Sequence, residues 1–136
     1  MTERRALIQV TPFVGVSDMA VAIAFYREVL GFTLYVHEGE YAYLERDRVA
    51  LRLLALENEV VWKIGVCHAY IDVRSADATF AEVESKLAAL PADRWTRPRD
   101  QPYGQREWSV RDPDGNLLSF GEGIGANATQ WDYRDA

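Results

Sequence analysis

Few side chains in this 136-residue chain could carry covalent or metal chemistry. It has one cysteine, Cys67, and two histidines, His37 and His68. A Cys/His zinc centre needs more ligands than these, and a lone cysteine leaves no disulfide framework. Cys67 and His68 adjoin as a thiol and base would, but neighbours on a strand point to opposite faces, which separates them. No Ser/His/Asp triad is assignable from spacing, and no helix pattern follows the glycine-rich run Gly121-Glu122-Gly123-Ile124-Gly125 to cradle a phosphate. Binding chemistry is better supplied, with four tryptophans, seven tyrosines and scattered carboxylates. Aromatic faces stack on flat ligands, and carboxylates meet positive charge.

Bulk properties narrow the setting. Lys and Arg number 15 against 21 Asp and Glu, for a formal net charge of −6, which argues against nonspecific nucleic-acid binding. No apolar run reaches the roughly 18 residues of a membrane span. The opening MTERRALIQV contains no long apolar region, so no secretory signal is read and a cytoplasmic address is the expectation.

The elements that must position these residues come in two similar sets. Ser17-Asp18 supplies N-cap oxygens for a helix over Met19 to Leu30, with Ile23, Tyr26 and Leu30 at helical spacing and Gly31 as its stop. A second helix begins near Ser75 or Asp77, carries Phe80, Val83, Leu87 and Leu90 on one face, and stops at Pro91. Strand patterns precede each helix, at Leu7 to Val16 and Cys67 to Val73. Three more follow each: Thr33 to His37, Tyr41 to Arg46 and Val49 to Leu54, then Trp95 to Arg97, Arg106 to Arg111 and Leu117 to Phe120. At an offset of 57 residues Phe13 meets Tyr70, Val16 meets Val73, Ile23 meets Phe80 and Leu30 meets Leu87, so the core pattern repeats. Asp112-Pro113-Asp114-Gly115-Asn116 marks the last hairpin.

The expected organisation is one α+β domain over 1–136: a βαβββ module at 7–56, a linker at 57–66, a second module at 67–122 and a tail at 123–136. Two such halves should enclose a concave face, within a chain or between chains, because an open strand edge seeks a partner. If Val10, Val14 and Val16 face the helices, then Gln9, Thr11 and Phe13 face the cavity. The same parity turns Arg52, His68, Tyr70, Asp72, Glu107, Ser109 and Ser119 inward and places Trp108 and Val110 beneath a helix.

Ala24-Phe25-Tyr26-Arg27, Leu30-Gly31-Phe32 and Arg111-Asp112-Pro113-Asp114-Gly115-Asn116, within the doubled βαβββ order, resemble the vicinal oxygen chelate superfamily. Its members include glyoxalase I, extradiol dioxygenases and the fosfomycin- and bleomycin-resistance proteins. The resemblance covers about residues 7 to 122 and implies a cup-shaped sheet of paired modules with outer helices, assembled as a homodimer. Carried over by position, the superfamily's metal ligands fall on Thr11, Arg52, His68 and Ser119. Only His68 is a competent ligand, and a guanidinium at Arg52 repels a cation. The resemblance therefore narrows to the bleomycin-resistance-like branch, to which Pro102-Tyr103-Gly104-Gln105-Arg106-Glu107-Trp108 is also similar. That branch implies a metal-free, cofactor-free protein that sequesters a bulky drug, such as a flat cationic aromatic antibiotic, in a dimer's inter-module cleft. An enzyme remains the alternative, either a glyoxalase-like lyase or isomerase or dioxygenase with an atypical metal site, or an acid/base catalyst built on His68, Glu107 and Tyr70.

The candidate ligand-binding residues are Arg52, Trp62, His68, Tyr70, Trp95, Tyr103, Glu107, Ser109 and Ser119, with no catalytic residue assigned. His68 is read as a cleft contact, a core histidine or a lone ligand. Arg52 is expected to pair with Glu107 or another internal carboxylate; otherwise it awaits an anionic ligand. Trp62 and Trp95 are read as stacking on ligand or capping the module junction. Asp72 and Glu122 are further expected cleft carboxylates.

Overall fold

The computed structural model describes residues 6–56 and 63–128. The first repeat consists of β1 (Phe13–Gly15), α1 (Met19–Ala24), β2 (Thr33–Glu38), β3 (Tyr41–Arg46) and β4 (Val49–Leu54). The second consists of β5 (His68–Asp72), α2 (Ala76–Leu87), β6 (Arg99–Asp100), β7 (Gln105–Arg111) and β8 (Leu117–Gly123). The N-caps are Asp18 and Ser75, whose side-chain oxygens accept from the Val21 and Ala78 amides; they stand at matching places in the two repeats. Beyond Ala24 the first helix widens into a π turn over Phe25–Val29, where the consecutive rings of Phe25 and Tyr26 are both buried.

Each repeat forms its own four-stranded mixed sheet, ordered β1-β4-β3-β2 and β5-β8-β7-β6. The first strand of each runs parallel to the last, with Phe13 beside Arg52 and Tyr70 beside Ser119. The architecture is therefore the α+β pair of βαβββ units that the repeat implies. One apolar core joins the helix-facing sides of both sheets, with Val14, Tyr26, Leu44 and Leu53 from the first half and Phe80, Leu87, Trp108 and Leu118 from the second. Trp108 is 1% exposed: it stacks on Phe120 at 4.2 Å, meets Phe80 edge-on at 5.6 Å and donates from Nε1 to Thr79 Oγ1 at 3.1 Å.

The Asp112–Asn116 turn is more than a hairpin. Asp112, 2% exposed, accepts from Tyr26 Oη, Asn116 Nδ2 and the amides of Asp114 and Asn116 at 2.8–2.9 Å. Asn116 Nδ2 also donates to the Gly15 carbonyl at 2.8 Å, its Oδ1 accepts from the Cys67 amide, and Asp114 Oδ2 accepts from the Ser17 amide. A turn of the second repeat thus latches the start of the first. Burial and the Asp112 carboxylate raise the Tyr26 phenol well above its ordinary range, keeping it a donor. Gly65 passes this turn with φ +80°, and a Cβ there would lie 2.3 Å from the Asp114 carbonyl oxygen, so the crossing segment requires glycine.

Two local expectations change. The first strand is short: Val10 does not face the helices but is 94% exposed, since Pro12 has no N–H to continue the ladder and residues 7–12 join no strand of the described chain. The strand expected at Trp95 to Arg97 reduces to one bridge, Trp95 to Val110, because Pro98 interrupts it before β6. Glu122 lines a groove at the seam of the two halves, and its Oε1 also accepts from the Ala76 amide at 2.9 Å, capping α2.

Candidate ligand-binding site

The inner face of the first sheet is organised around Arg52. Its Nε donates to Thr11 Oγ1 at 2.7 Å, its Nη1 donates to the Tyr41 hydroxyl, and its guanidinium carbon lies 5.0 Å from the Tyr43 ring centroid. The register explains this: Tyr43 pairs with Arg52 across β3 and β4, and Tyr41 lies two residues along on the same face. Gln9 donates to the Tyr43 hydroxyl at 3.0 Å, which in turn donates to Glu45 at 2.6 Å. The expected pairing of Arg52 with Glu107 is not formed, because the two residues stand on separate sheets and the guanidinium is turned along its own. Among the described residues no carboxylate comes within ion-pair distance of Arg52.

The second sheet presents two polar groupings. His68 Nε2 contacts Ser119 Oγ at 3.2 Å, and Ser119 Oγ contacts Ser109 Oγ at 2.8 Å. Further along, Tyr103 donates to Glu107 Oε1, and the Tyr70 hydroxyl reaches Gln105 Oε1 at 3.4 Å beside the Glu107 carboxylate. Partial burial and then Glu107 push the Tyr70 phenol well above its usual range, and Glu107 raises Tyr103 as well. Both phenols are held as neutral donors, which disfavours Tyr70 as a base. Gly121 makes this arrangement possible: a Cβ there would lie 1.8 Å from the Tyr70 hydroxyl, so the ring crosses β8 only over glycine.

His68, Tyr70, Tyr103, Glu107, Ser109 and Ser119 are thus gathered on one sheet, and Arg52 with Thr11 on the other. Trp95 belongs to neither group. Its ring packs 6.0 Å from Phe80 under the Arg97 guanidinium, at the edge of the core, so it caps packing and does not face the inner surface. Trp62 lies outside the described residues. The basic loop residues have structural partners too, with Arg97 on Glu84 and Arg94 on the Arg111 carbonyl. Sequence reasoning missed Tyr41, Tyr43, Gln105 and Gly121, although strand parity carried a signal for the tyrosines and a glycine within a strand for Gly121. A groove of about 930 Å³ runs along the seam of the two halves, past Val10, Phe32, Leu51, Tyr70 and Ile71. It shares Gln9 and Tyr70 with the polar groupings but is not lined by Arg52, His68, Glu107, Ser109 or Ser119, and the groupings carry more weight because they hold the converging donors and acceptors.

The family model of the Glyoxalase/Bleomycin resistance protein/Dioxygenase superfamily matches residues 7–120. The chain belongs to this superfamily. A bleomycin resistance protein of Geobacillus stearothermophilus is 29% identical over 130 residues, covering 84% of this chain and 96% of its own. The bleomycin-binding protein of Streptomyces verticillus, solved with copper(II)-bleomycin, superposes with a TM-score of 0.71 at 25% identity, covering 90% of this chain and 99% of its own. The antibiotic binding protein TnmS3 from Streptomyces sp. CB03234 gives 0.70 at 22% identity, over 88% and 99% of the two chains. Some members of the superfamily use a divalent metal, and the equivalent positions here do not fit one. Arg52 and Thr11 bond to each other, and His68 and Ser119 do the same, leaving a single imidazole as a competent ligand. Among the described residues no three His, Cys, Asp or Glu side chains gather closely enough to hold a metal elsewhere. No helix of the described residues is long and apolar enough to cross a membrane.

Proposed function

We propose that this protein binds and sequesters a bulky antibiotic-like small molecule without transforming it. The carrying observation is the pair of inner sheet faces, which offer aromatic rings, hydroxyls, a guanidinium and a carboxylate, while no three His, Cys, Asp or Glu side chains among the described residues gather to hold a metal. The bleomycin resistance and bleomycin-binding relatives support the same reading. Protection of this kind requires only affinity and a slow off-rate, so rings that stack and polar groups that orient suffice. Titrating the protein with bleomycin and following tryptophan fluorescence or heat should give saturable binding in the micromolar range or tighter. Binding no stronger than about millimolar, worth only about 4 kcal/mol, would refute sequestration of that drug.

The working unit in this proposal is a homodimer whose clefts each take one sheet face from either copy. Support comes from the separation of the two polar walls, and from β1 and β5, which stand at the open edges of their sheets. The arm before β1 adds to it, since Leu7, Ile8 and Val10 are more than nine-tenths exposed. Sedimentation equilibrium at micromolar concentration should return twice the 15.5 kDa of one chain. A monomer would require a cleft built within a single chain.

A further inference from the structure

We propose that the Arg52 wall is an anion-recognition subsite that takes a carboxylate carried on an aromatic ligand. The inference rests on the sequestration reading and specifies the ligand's chemistry. Arg52 is half-buried, and its bonded partners among the described residues are the neutral oxygens of Thr11 and Tyr41. Both hydroxyls accept from the guanidinium, so each still has its own hydrogen to donate, and neither donates to any described residue. Among the described residues, two guanidinium N–H groups are used. The result is a cluster of donors around one positive charge that no carboxylate of the described residues neutralises.

A partly desolvated cation without a counter-charge is costly, and an incoming carboxylate relieves that cost through charge-assisted hydrogen bonds. Arginine suits the task because its planar fork matches two carboxylate oxygens. The aromatic requirement comes from the neighbours: the Tyr43 ring lies under the guanidinium, and Phe13, beside Arg52 in the β1–β4 register, is 42% exposed. Glu45 is the nearby acid on this face, and the Tyr43 hydroxyl already donates to it. The chain's net charge of −6 gives no long-range pull on an anion, so recognition depends on these short contacts.

Calorimetric titration with 2-naphthoate and its uncharged counterpart 2-naphthamide tests the subsite, using wild type, Arg52→Gln and Arg52→Lys, each checked by thermal melting. The wild type should bind the carboxylate about tenfold tighter than the amide or better, Arg52→Gln should abolish that preference, and Arg52→Lys should keep part of it. Equal binding of the two probes by the wild type, or a preference that survives in Arg52→Gln, overturns the subsite. So does an Arg52→Gln variant that changes only melting or dimer mass, since Arg52 would then be pairing with a carboxylate of a second copy. Bleomycin is titrated alongside. If bleomycin binds and the carboxylate preference is absent, the subsite fails alone; if neither bleomycin nor the probes bind, the sequestration reading fails with it.

Discussion

Replacing Asp112 by alanine should cost about 3–5 kcal/mol of folding stability, the range seen when one partner of a buried charged network is removed. Four donors converge on this carboxylate: the Tyr26 hydroxyl, the Asn116 amide and two backbone N–H groups. Alanine leaves all four without that acceptor in a site water reaches poorly, and it cuts the tie between the second repeat and the first helix. Urea unfolding followed by circular dichroism measures the loss as a fall in midpoint at nearly constant slope. Tyr26→Phe, which removes one of the bonds and leaves the turn in place, should cost about 1–2 kcal/mol. The two effects should fall short of additive in the double variant, because they share one bond. A loss below about 1 kcal/mol in Asp112→Ala would mean that apolar packing alone holds the halves together.

Trp108→Ala should be comparably damaging, at about 3–5 kcal/mol, with transfer and cavity contributions combined. The indole fills the space between β7, β8 and α2, stacked on Phe120 and edge-on to Phe80. Removing it leaves Phe120 without its stacking partner and Thr79 Oγ1 without the indole N–H that donates to it. Trp108→Phe retains a ring and loses the hydrogen bond and part of the volume, so it should cost clearly less than alanine. Both are read from thermal melts, in which the alanine variant should drop by roughly 10 °C. Equal melting temperatures for the two variants would show that volume and stacking at this position matter little.

The comparison of these two residues shows how much the sequence discloses. Trp108 was readable as core because strand alternation alone assigns its face. The same alternation put Arg52, His68, Tyr70, Glu107, Ser109 and Ser119 on inner faces, and the structure finds them on the corresponding surfaces of the two sheets. Asp112 read only as part of a turn, because three of its donors belong to that turn and the one that ties it to the first repeat, Tyr26, lies 86 residues away. Trp95 read as either stacking on ligand or capping the module junction, and Glu122 as a cleft carboxylate, because a loop tryptophan and a strand-end carboxylate look the same in sequence whether they meet a ligand, a core ring or a helix N-terminus.

The amino-acid sequence by itself determined the doubled βαβββ order, helix starts at Ser17-Asp18 and near Ser75 or Asp77, the facing of residues within the central strands and the poverty of metal ligands at Thr11, Arg52, His68 and Ser119. These follow from backbone period, capping chemistry and donor type, which are properties of a residue and its near neighbours. Tertiary structure alone decided that Arg52 rests on Thr11 and Tyr41 and not on Glu107, that Tyr70 crosses β8 over Gly121, that Val10 stands exposed and that the Asp112 turn locks the repeats together. Each of those depends on how segments distant in the chain pair and pack against one another. A local pattern fixes the direction in which a side chain leaves its strand, but the group it meets is set by packing between segments distant in the chain.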